Sequence, residues 1–332
     1  MATPPAEPPP PAERQPPAEP PPPAERRPGR AIRVRPWPER TDGPDGVRVE
    51  LAGLSVTGPV RSRNEDHVGW AVPGDRVWVP ARHGDEHLPA TELAGPIVVT
   101  AVADGLGGHA DGDLASRFAI TTLLERLAPP GVLRGLPDAL RDAYQEVNAR
   151  LLSGEIDGEG TGPRRMGAQT TLTAVTITAG SAWVSHVGDC RVFRLRDQAL
   201  ELLTTDHSQA MELLRMRLIR PDQAATHPGR HLLTRSLGGD ISLRVDVRSG
   251  EVREGDAYLL CSDGAWSGLS SDDIIAALEG DLEGGVRQLV DRSIGRGGDD
   301  NASVIALRVL RVGEPTDASS GRRALWRRVL GG

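Results

Sequence analysis

The chain has 332 residues with a net charge of −7, from 46 acidic side chains against 39 basic ones that are all arginine, which argues against a general nucleic-acid or membrane-surface binder because both lean basic. Its two cysteines, Cys190 and Cys261, stand far apart and fit neither a disulfide framework nor a thiolate zinc site. No run approaches the roughly 18 apolar residues of a membrane span, and Met1 is followed by prolines rather than a signal-peptide core, so a single large domain of about 270 residues in a reduced cytoplasm is expected.

Residues 4–26 repeat a twelve-residue unit, in which Pro4-Pro5-Ala6-Glu7 through Arg14 recurs as Pro16-Pro17-Ala18-Glu19 through Arg26. So few apolar side chains cannot offset the ordering entropy, which makes 1–44 a solvated, Pro-rich tail. A domain over 45–311 opens where Val47, Val49 and Leu51 alternate with polar neighbours as in a half-buried strand. A second strand follows around His67 to Val72. Residues 73–96, rich in Pro, Gly and charge, read as a surface insertion. Ile97 to Ala103 is a buried strand running into Asp104, and two helices follow. Leu136, Leu140, Tyr144, Val147 and Leu151 place one apolar face on the second of these.

From Gln169 to Leu203 alternating strands with short turns read as a meander. A helical excursion covers about 208–225, and strands fall near 243–248 and 257–262. Ser270 or Ser271 caps a helix starting at Asp272, a further helix spans about Val286 to Ile294, and Ala302 to Val309 closes the domain as a strand. Residues 312–332 form a basic tail. Strands in hairpin-sized groups with helices in pairs predict antiparallel sheets with helices outside them.

Acidic residues mark the strand ends. Asn64-Glu65-Asp66 lies between the first two strands, Asp104-Gly105 ends a buried strand, Gly188-Asp189 and Ser262-Asp263-Gly264 end two more, and Asp299-Asp300-Asn301 precedes the last. Carboxylates brought that close repel unless hard cations neutralise them, and oxygen-only ligands select Mg²⁺ or Mn²⁺ over zinc. Two such ions can activate a water and clamp a phosphoryl group, so phosphoester hydrolysis is the expected chemistry. Gly105 offers a carbonyl as an extra ligand, and Arg61, four residues before Glu65, can present a planar guanidinium to phosphate.

Arg61-x-x-Asn64-Glu65-Asp66, Asp104-Gly-Leu-Gly-Gly108, Gly167-Ala-Gln-Thr170-Thr171, Gly188-Asp189-Cys-Arg191, Thr205-Asp206-His207-Ser208, Leu233-Thr-Arg-Ser-Leu-Gly238, Ser262-Asp263-Gly264 and Asp300-Asn301 occur in this order. This series resembles the metal-dependent serine/threonine protein phosphatases of type 2C, the PPM family, in their bacterial form.

The resemblance implies an α+β fold, a four-layer α-β-β-α sandwich with two antiparallel sheets flanked by helix pairs and the metal centre at one end. It implies that Asp104 bridges two Mn²⁺ or Mg²⁺ ions, that Asp263 and Asp300 complete the first site, and that Glu65 and the Gly105 carbonyl serve the second, supported by Asp66. A third ion would sit between Asp189 and Asp263, Arg61 would bind the substrate phosphate, and 208–233 corresponds to the flap bordering the cleft. The implied partners are phosphoserine and phosphothreonine proteins, including a serine/threonine kinase; the acidic balance and the absence of a basic aromatic stripe count against nucleic acid, and a monomer is expected. Leu106 replaces a histidine proposed as general acid in eukaryotic relatives, which leaves water to protonate the leaving group, and Cys190 stands where the motif usually has serine.

Other readings stand beside these. Asp189 could instead pair with Arg191 or a flap arginine. His207 reads as a hydrogen-bonding residue at a helix start, Cys261 as an inert core thiol, and His109 as a solvated loop residue with proton transfer as its alternative role, while His83 and His87, in the insertion, could bind a metal only by chance. A catalytically weak pseudophosphatase that binds phosphoproteins is the alternative function, and it would be expected to lack one of the metal carboxylates.

Overall fold

Period-two alternation along the strands builds two faces on each sheet, and three apolar layers result. The computed structural model describes residues 31–33, 46–72, 76–78, 84–106, 110–129, 132–156, 167–239 and 241–313. Gly107, Gly108, His109, His83, most of the Pro-rich tail and 314–332 of the basic tail lie outside them.

The strands are β1 (Ala31–Arg33), β2 (Val47–Val56), β3 (Asp66–Val72), β4 (Arg76–Trp78), β5 (Glu86–Gly95), β6 (Ile97–Leu106), β7 (Gln169–Thr170), β8 (Leu172–Thr178), β9 (Ser181–Val187), β10 (Arg191–Arg196), β11 (Ala199–Leu202), β12 (Asp246–Glu251), β13 (Ala257–Cys261) and β14 (Ala302–Val312). The α-helices are α1 (Ala110–Leu127), α2 (Leu136–Ser153), α3 (Gln209–Arg215), α4 (Pro221–Thr226), α5 (Asp263–Trp266), α6 (Ser271–Glu279) and α7 (Leu282–Gly295).

One sheet runs β1-β4-β3-β6-β8-β9-β12, with β7 also on β6, and the other runs β11-β10-β13-β14-β2-β5. On β6, Ile97, Val99, Ala101 and Ala103 pack under α1 and α2, while Val98 and Val102 turn to the opposite sheet. On β14, Ile305, Leu307 and Val309 face the first sheet, and Val304 and Ala306 pack under α6 and α7. The fold is therefore an α+β sandwich of four layers, α-β-β-α, with every described strand pair antiparallel.

Four local readings change. The segment 73–96 is not a mere insertion, because β5 pairs with β2 along the edge of the second sheet and buries Leu88 and Leu93 in the inter-sheet core. A register shift opposite Leu51/Gly53 breaks the alternation, so the two leucines fall five apart. The 169–203 meander splits between sheets: β8 and β9 belong to one, β10 and β11 to the other. Gly188 makes that corner at φ +116°, against Thr171, where a Cβ would lie 2.4 Å from Thr171 Cγ2.

Helix α7 begins four residues earlier than the sequence pattern suggests, with Asp281 accepting a hydrogen bond from the Gly284 N–H at 2.6 Å. The short strand β1, within the segment read as tail, pairs with β4. Of the two candidate caps for α6, Ser270 serves, accepting from the Asp273 N–H at 3.3 Å. Among the described residues no helix is long and apolar enough to cross a membrane.

Candidate metal centre

Strand ends on both sheets meet at one end of the sandwich. Asp66 opens β3 directly opposite Asp104 near the end of β6. Asp189 follows β9, Asp263 opens α5 just past β13, and Asp300 stands two residues before β14. These five carboxylates act on one another. Burial first, then the charges of Asp66, Asp263, Asp189 and Asp300, hold the Asp104 carboxyl well above its usual range. Burial, followed by Asp263 and Asp206, raises Asp189. Asp66 is pushed up to about 7, chiefly by burial and further by Asp263 and Asp300, although Ser262 and Ser303 work the other way.

Arg61 reaches the same cluster. Its Nη2 lies 2.6 Å from Asp300 Oδ2. Partial burial disfavours the charged guanidinium, but the hydrogen bond and charge of Asp300, with Glu65 and Asp104 behind it, more than offset that and raise its pKa. Both members of the pair keep about two-fifths of their side-chain surface exposed, at 44% and 40%, so the cation stands at the mouth of the cluster rather than within it.

Main-chain contacts fix the acids. The Asp104 carbonyl accepts from the Thr171 N–H at 2.8 Å, and its N–H donates to Thr171 Oγ1 at 2.9 Å. Gly105 packs so tightly that a Cβ would come 2.2 Å from the Gly112 carbonyl oxygen and 2.8 Å from that of Glu65. Asn301 ties the Glu65 segment to the far strand: its Oδ1 accepts from the Glu65 N–H at 2.9 Å, and its Nδ2 donates to the Thr57 and Arg63 carbonyls, each at 2.8 Å. Asn64, Ser55, Ser303 and Ser262 continue this polar seam.

The donor set suits a hard cation. Every candidate ligand is an oxygen, Asp66 Oδ2 is buried with no hydrogen-bond partner, and a lone buried carboxylate oxygen is costly without a cation. Among the described residues no three His, Cys, Asp or Glu side chains close on a single point.

Four features were not visible in the sequence. Arg191 does not take Asp189: it pairs with Asp206 through Nε at 3.0 Å and Nη2 at 2.7 Å, and its guanidinium stacks 3.4 Å over Trp266. Trp266 Nε1 in turn donates to the Asp189 carbonyl at 3.0 Å. In 208–233, the last short turn brings His231 Nδ1 to 3.5 Å from Asp263 Oδ2. The seam through Asn301, Ser262 and Ser303 joins segments more than 200 residues apart at its widest. His207 is the hydrogen-bonding residue expected, with Nδ1 accepting from the Gly188 N–H at 3.1 Å. Cys261 is buried, which raises its thiol to about 12, and Cys190 is buried against Thr171 Oγ1. His87 is held by Glu283 and Arg287.

The profile described as protein phosphatase 2C matches residues 82–295, a span that contains Asp104, Asp189 and Asp263. The chain belongs to the protein phosphatase 2C family. The serine/threonine protein phosphatase PstP of Mycobacterium tuberculosis is 34% identical over 245 residues, 73% of this chain and 45% of that relative. The chain thus spans under half the length of that relative. The serine/threonine phosphatase stp of Listeria monocytogenes is 32% identical over 218 residues, covering 63% of this chain and 83% of that one. A crystal structure of the PstP catalytic domain in complex with two manganese ions superposes at a TM-score of 0.59 with 30% identity, covering 80% of this chain and all of that one. That fold likeness agrees with the four layers described above.

Proposed function

We propose that this chain is a protein serine/threonine phosphatase that hydrolyses phosphoserine and phosphothreonine with two Mn²⁺ or Mg²⁺ ions. The observation that carries the reading is the meeting of Asp66, Asp104, Asp189, Asp263 and Asp300 at one end of the sandwich with Arg61 at its mouth. Asp104 would be shared by both ions, with Asp263 and Asp300 on one and Glu65 and the Gly105 carbonyl on the other. Asp66 would support the second, and Asp189 with Asp263 would hold a third, weaker ion. When bound, the ions supply charge neutralisation and Lewis-acid activation of water.

The chain's own side chains bind and orient. Arg61, already charged and half exposed, offers two parallel N–H donors to phosphate oxygens, and Asp300 keeps it at the mouth until substrate arrives. No acid stands at Leu106, so the leaving alkoxide would take its proton from solvent water in the cleft. Phosphorylated proteins, a serine/threonine kinase among them, are the proposed substrates. The pseudophosphatase alternative draws no support, since none of the carboxylates is missing and the named relatives are phosphatases.

The test is hydrolysis of p-nitrophenyl phosphate and a phosphothreonine peptide with Mn²⁺, Mg²⁺ or EDTA, for the wild type, Asp104→Asn and Asp263→Asn. Metal-dependent turnover that falls at least ~10²-fold in both variants is expected. A wild type that binds Mn²⁺ by calorimetry yet turns over neither substrate would overturn the reading in favour of a phosphoprotein binder.

A further inference from the structure

Beside the carboxylate cluster lies a buried polar group that the phosphatase reading does not use. His67, one residue past Asp66 on β3, turns away from the cleft toward the first turns of α1. Its Nδ1 lies 2.9 Å from Ser116 Oγ, and its Nε2 lies 3.2 Å from Asp113 Oδ1. All three residues are at most 2% exposed, so no substrate reaches them. The Asp-His-Ser sequence of contacts is therefore not a nucleophilic triad.

Its hydrogens point to a different task. A hydroxyl has one hydrogen, and Ser116 Oγ is 2.5 Å from the Glu65 carbonyl oxygen and 3.0 Å from that of Gly112. Both are acceptors, as is the Asp113 carbonyl at 3.2 Å, and whether His67 Nδ1 donates to Ser116 Oγ or accepts from it is set by the imidazole tautomer. The shortest contact is to Glu65. The Glu65 peptide is then gripped on both edges: its N–H by Asn301 Oδ1 at 2.9 Å, its carbonyl by Ser116 and by the Gly105 N–H at 3.1 Å.

The Glu65 side chain is also set by this turn of α1. A Cβ on Gly112 would sit 3.1 Å from Glu65 Cδ and 3.2 Å from its Oε1, so the carboxylate lies directly on the Gly112 backbone. The same helical turn that carries Gly112 carries Asp113, and Ser116 follows one turn later. The His67 ring, 2.9 Å from Ser116 Oγ and 3.2 Å from Asp113 Oδ1, therefore joins this floor beneath Glu65 to β3.

We propose that Ser116, His67 and Asp113 are positioning residues that hold Glu65 and the Gly105 carbonyl in register for a divalent cation. The inference rests on the metal-dependent phosphatase reading above and deepens it for one of the two ion sites. Residues that orient ligands from behind commonly change metal affinity by ~10–100-fold when removed.

The test is Mn²⁺ titration by calorimetry on wild type, Ser116→Ala and the isosteric Asp113→Asn, with chelator-treated thermal unfolding of each. The expected result is an Mn²⁺ Kd at least ~10-fold weaker for one of the two ion sites in both variants, with the other site unchanged. The same split is expected as a higher Mn²⁺ requirement in p-nitrophenyl phosphate hydrolysis, with kcat at saturating Mn²⁺ close to wild type. A fall in Tm with Mn²⁺ affinity unchanged at both sites would make the group merely structural and overturn the proposal. Two variants are used so that one failing to fold leaves the other decisive. Absence of Mn²⁺ binding to the wild type would instead overturn the metal-dependent reading itself, and the positioning role with it.

Discussion

Replacing Asp66 with asparagine is expected to stabilise the metal-free protein while weakening its response to Mn²⁺. Asp66 is 1% exposed, and its Oδ2 has no hydrogen-bond partner. Burial, and then Asp263 and Asp300, push its carboxyl from 3.8 up to about 7 against the pull of Ser262 and Ser303. A carboxyl raised by folding costs nothing below its unfolded value and costs most above its folded one. The metal-free fold therefore loses stability as pH rises from about 4 to about 7, by up to ~4 kcal/mol at 1.36 kcal/mol per unit. Asparagine has the same shape without the charge, and its amide can meet the Ser262 and Ser303 hydroxyls. After desolvation of that amide, a net gain of ~2 kcal/mol remains at pH 7.5. For a domain of this size that is ~4–8 °C in Tm by scanning calorimetry in EDTA, shrinking by more than half at pH 5. Mn²⁺ at a hundred times its Kd should add ~2.7 kcal/mol per ion site to the wild type and, at the site Asp66 supports, less to the variant at the same Mn²⁺ concentration. A lower Tm for Asp66→Asn in EDTA at pH 7.5, or a gain that does not shrink at pH 5, would refute the reasoning.

Acid should unfold the protein partly through His186. Burial, with the tilted His207 ring centred 4.7 Å away, lowers its pKa from 6.5 to about 3. The unfolded chain then takes up a proton below pH 6.5 that the fold refuses, so ~2 kcal/mol is lost between pH 7.5 and pH 5. Urea unfolding across that range should show a slope that His186→Gln reduces, and equal slopes would count against it. Gly105→Ala must force the Gly112 turn or the Glu65 carbonyl back by about 1 Å from the contacts its Cβ would make, at ~1–3 kcal/mol, and weaken Mn²⁺ binding. Gly250→Ala, which meets nothing within 4 Å on edge strand β12, should change stability by less than ~1 kcal/mol. Identical Tm and Mn²⁺ Kd for the two variants would contradict the close-approach argument.

The acids were legible in the sequence because an aspartate at the end of an apolar strand is a local pattern. Asp104 after Ile97 to Ala103 and Asp263 after Ala257 to Cys261 need only their own neighbours to be noticed. Strand β5 was not legible. Pro89 and the register shift beside it move Leu88 and Leu93 onto the same buried face at an odd spacing, and that defeats a period-two reading. Helix α7 was shortened for a related reason, since Gly284 and Gly285 look like a break unless the Asp281 cap is seen. His67 was hidden because β3 is buried on both faces along all seven residues, so nothing in its alternation sets a polar residue apart.

What the sequence left open around Asp189 was a question of supply. An aspartate two residues before an arginine can always be drawn as its partner, and only the third dimension says whether that arginine is already engaged. A guanidinium has one edge suited to a bidentate carboxylate and one face suited to an aromatic ring. Arg191 gives that edge to Asp206 and that face to Trp266. Trp266, held in turn by the Asp189 carbonyl, locks the arrangement, so Arg191 has little left to offer the Asp189 carboxylate. Burial first, then the charges of Asp263 and Asp206, raise the Asp189 carboxyl against the pull of Arg191, and Asp189 in turn helps raise Asp104, itself raised chiefly by burial. Freeing Asp189 from its sequence neighbour thus depends on residues 15 and 75 positions away from Arg191, and no local motif records that dependence.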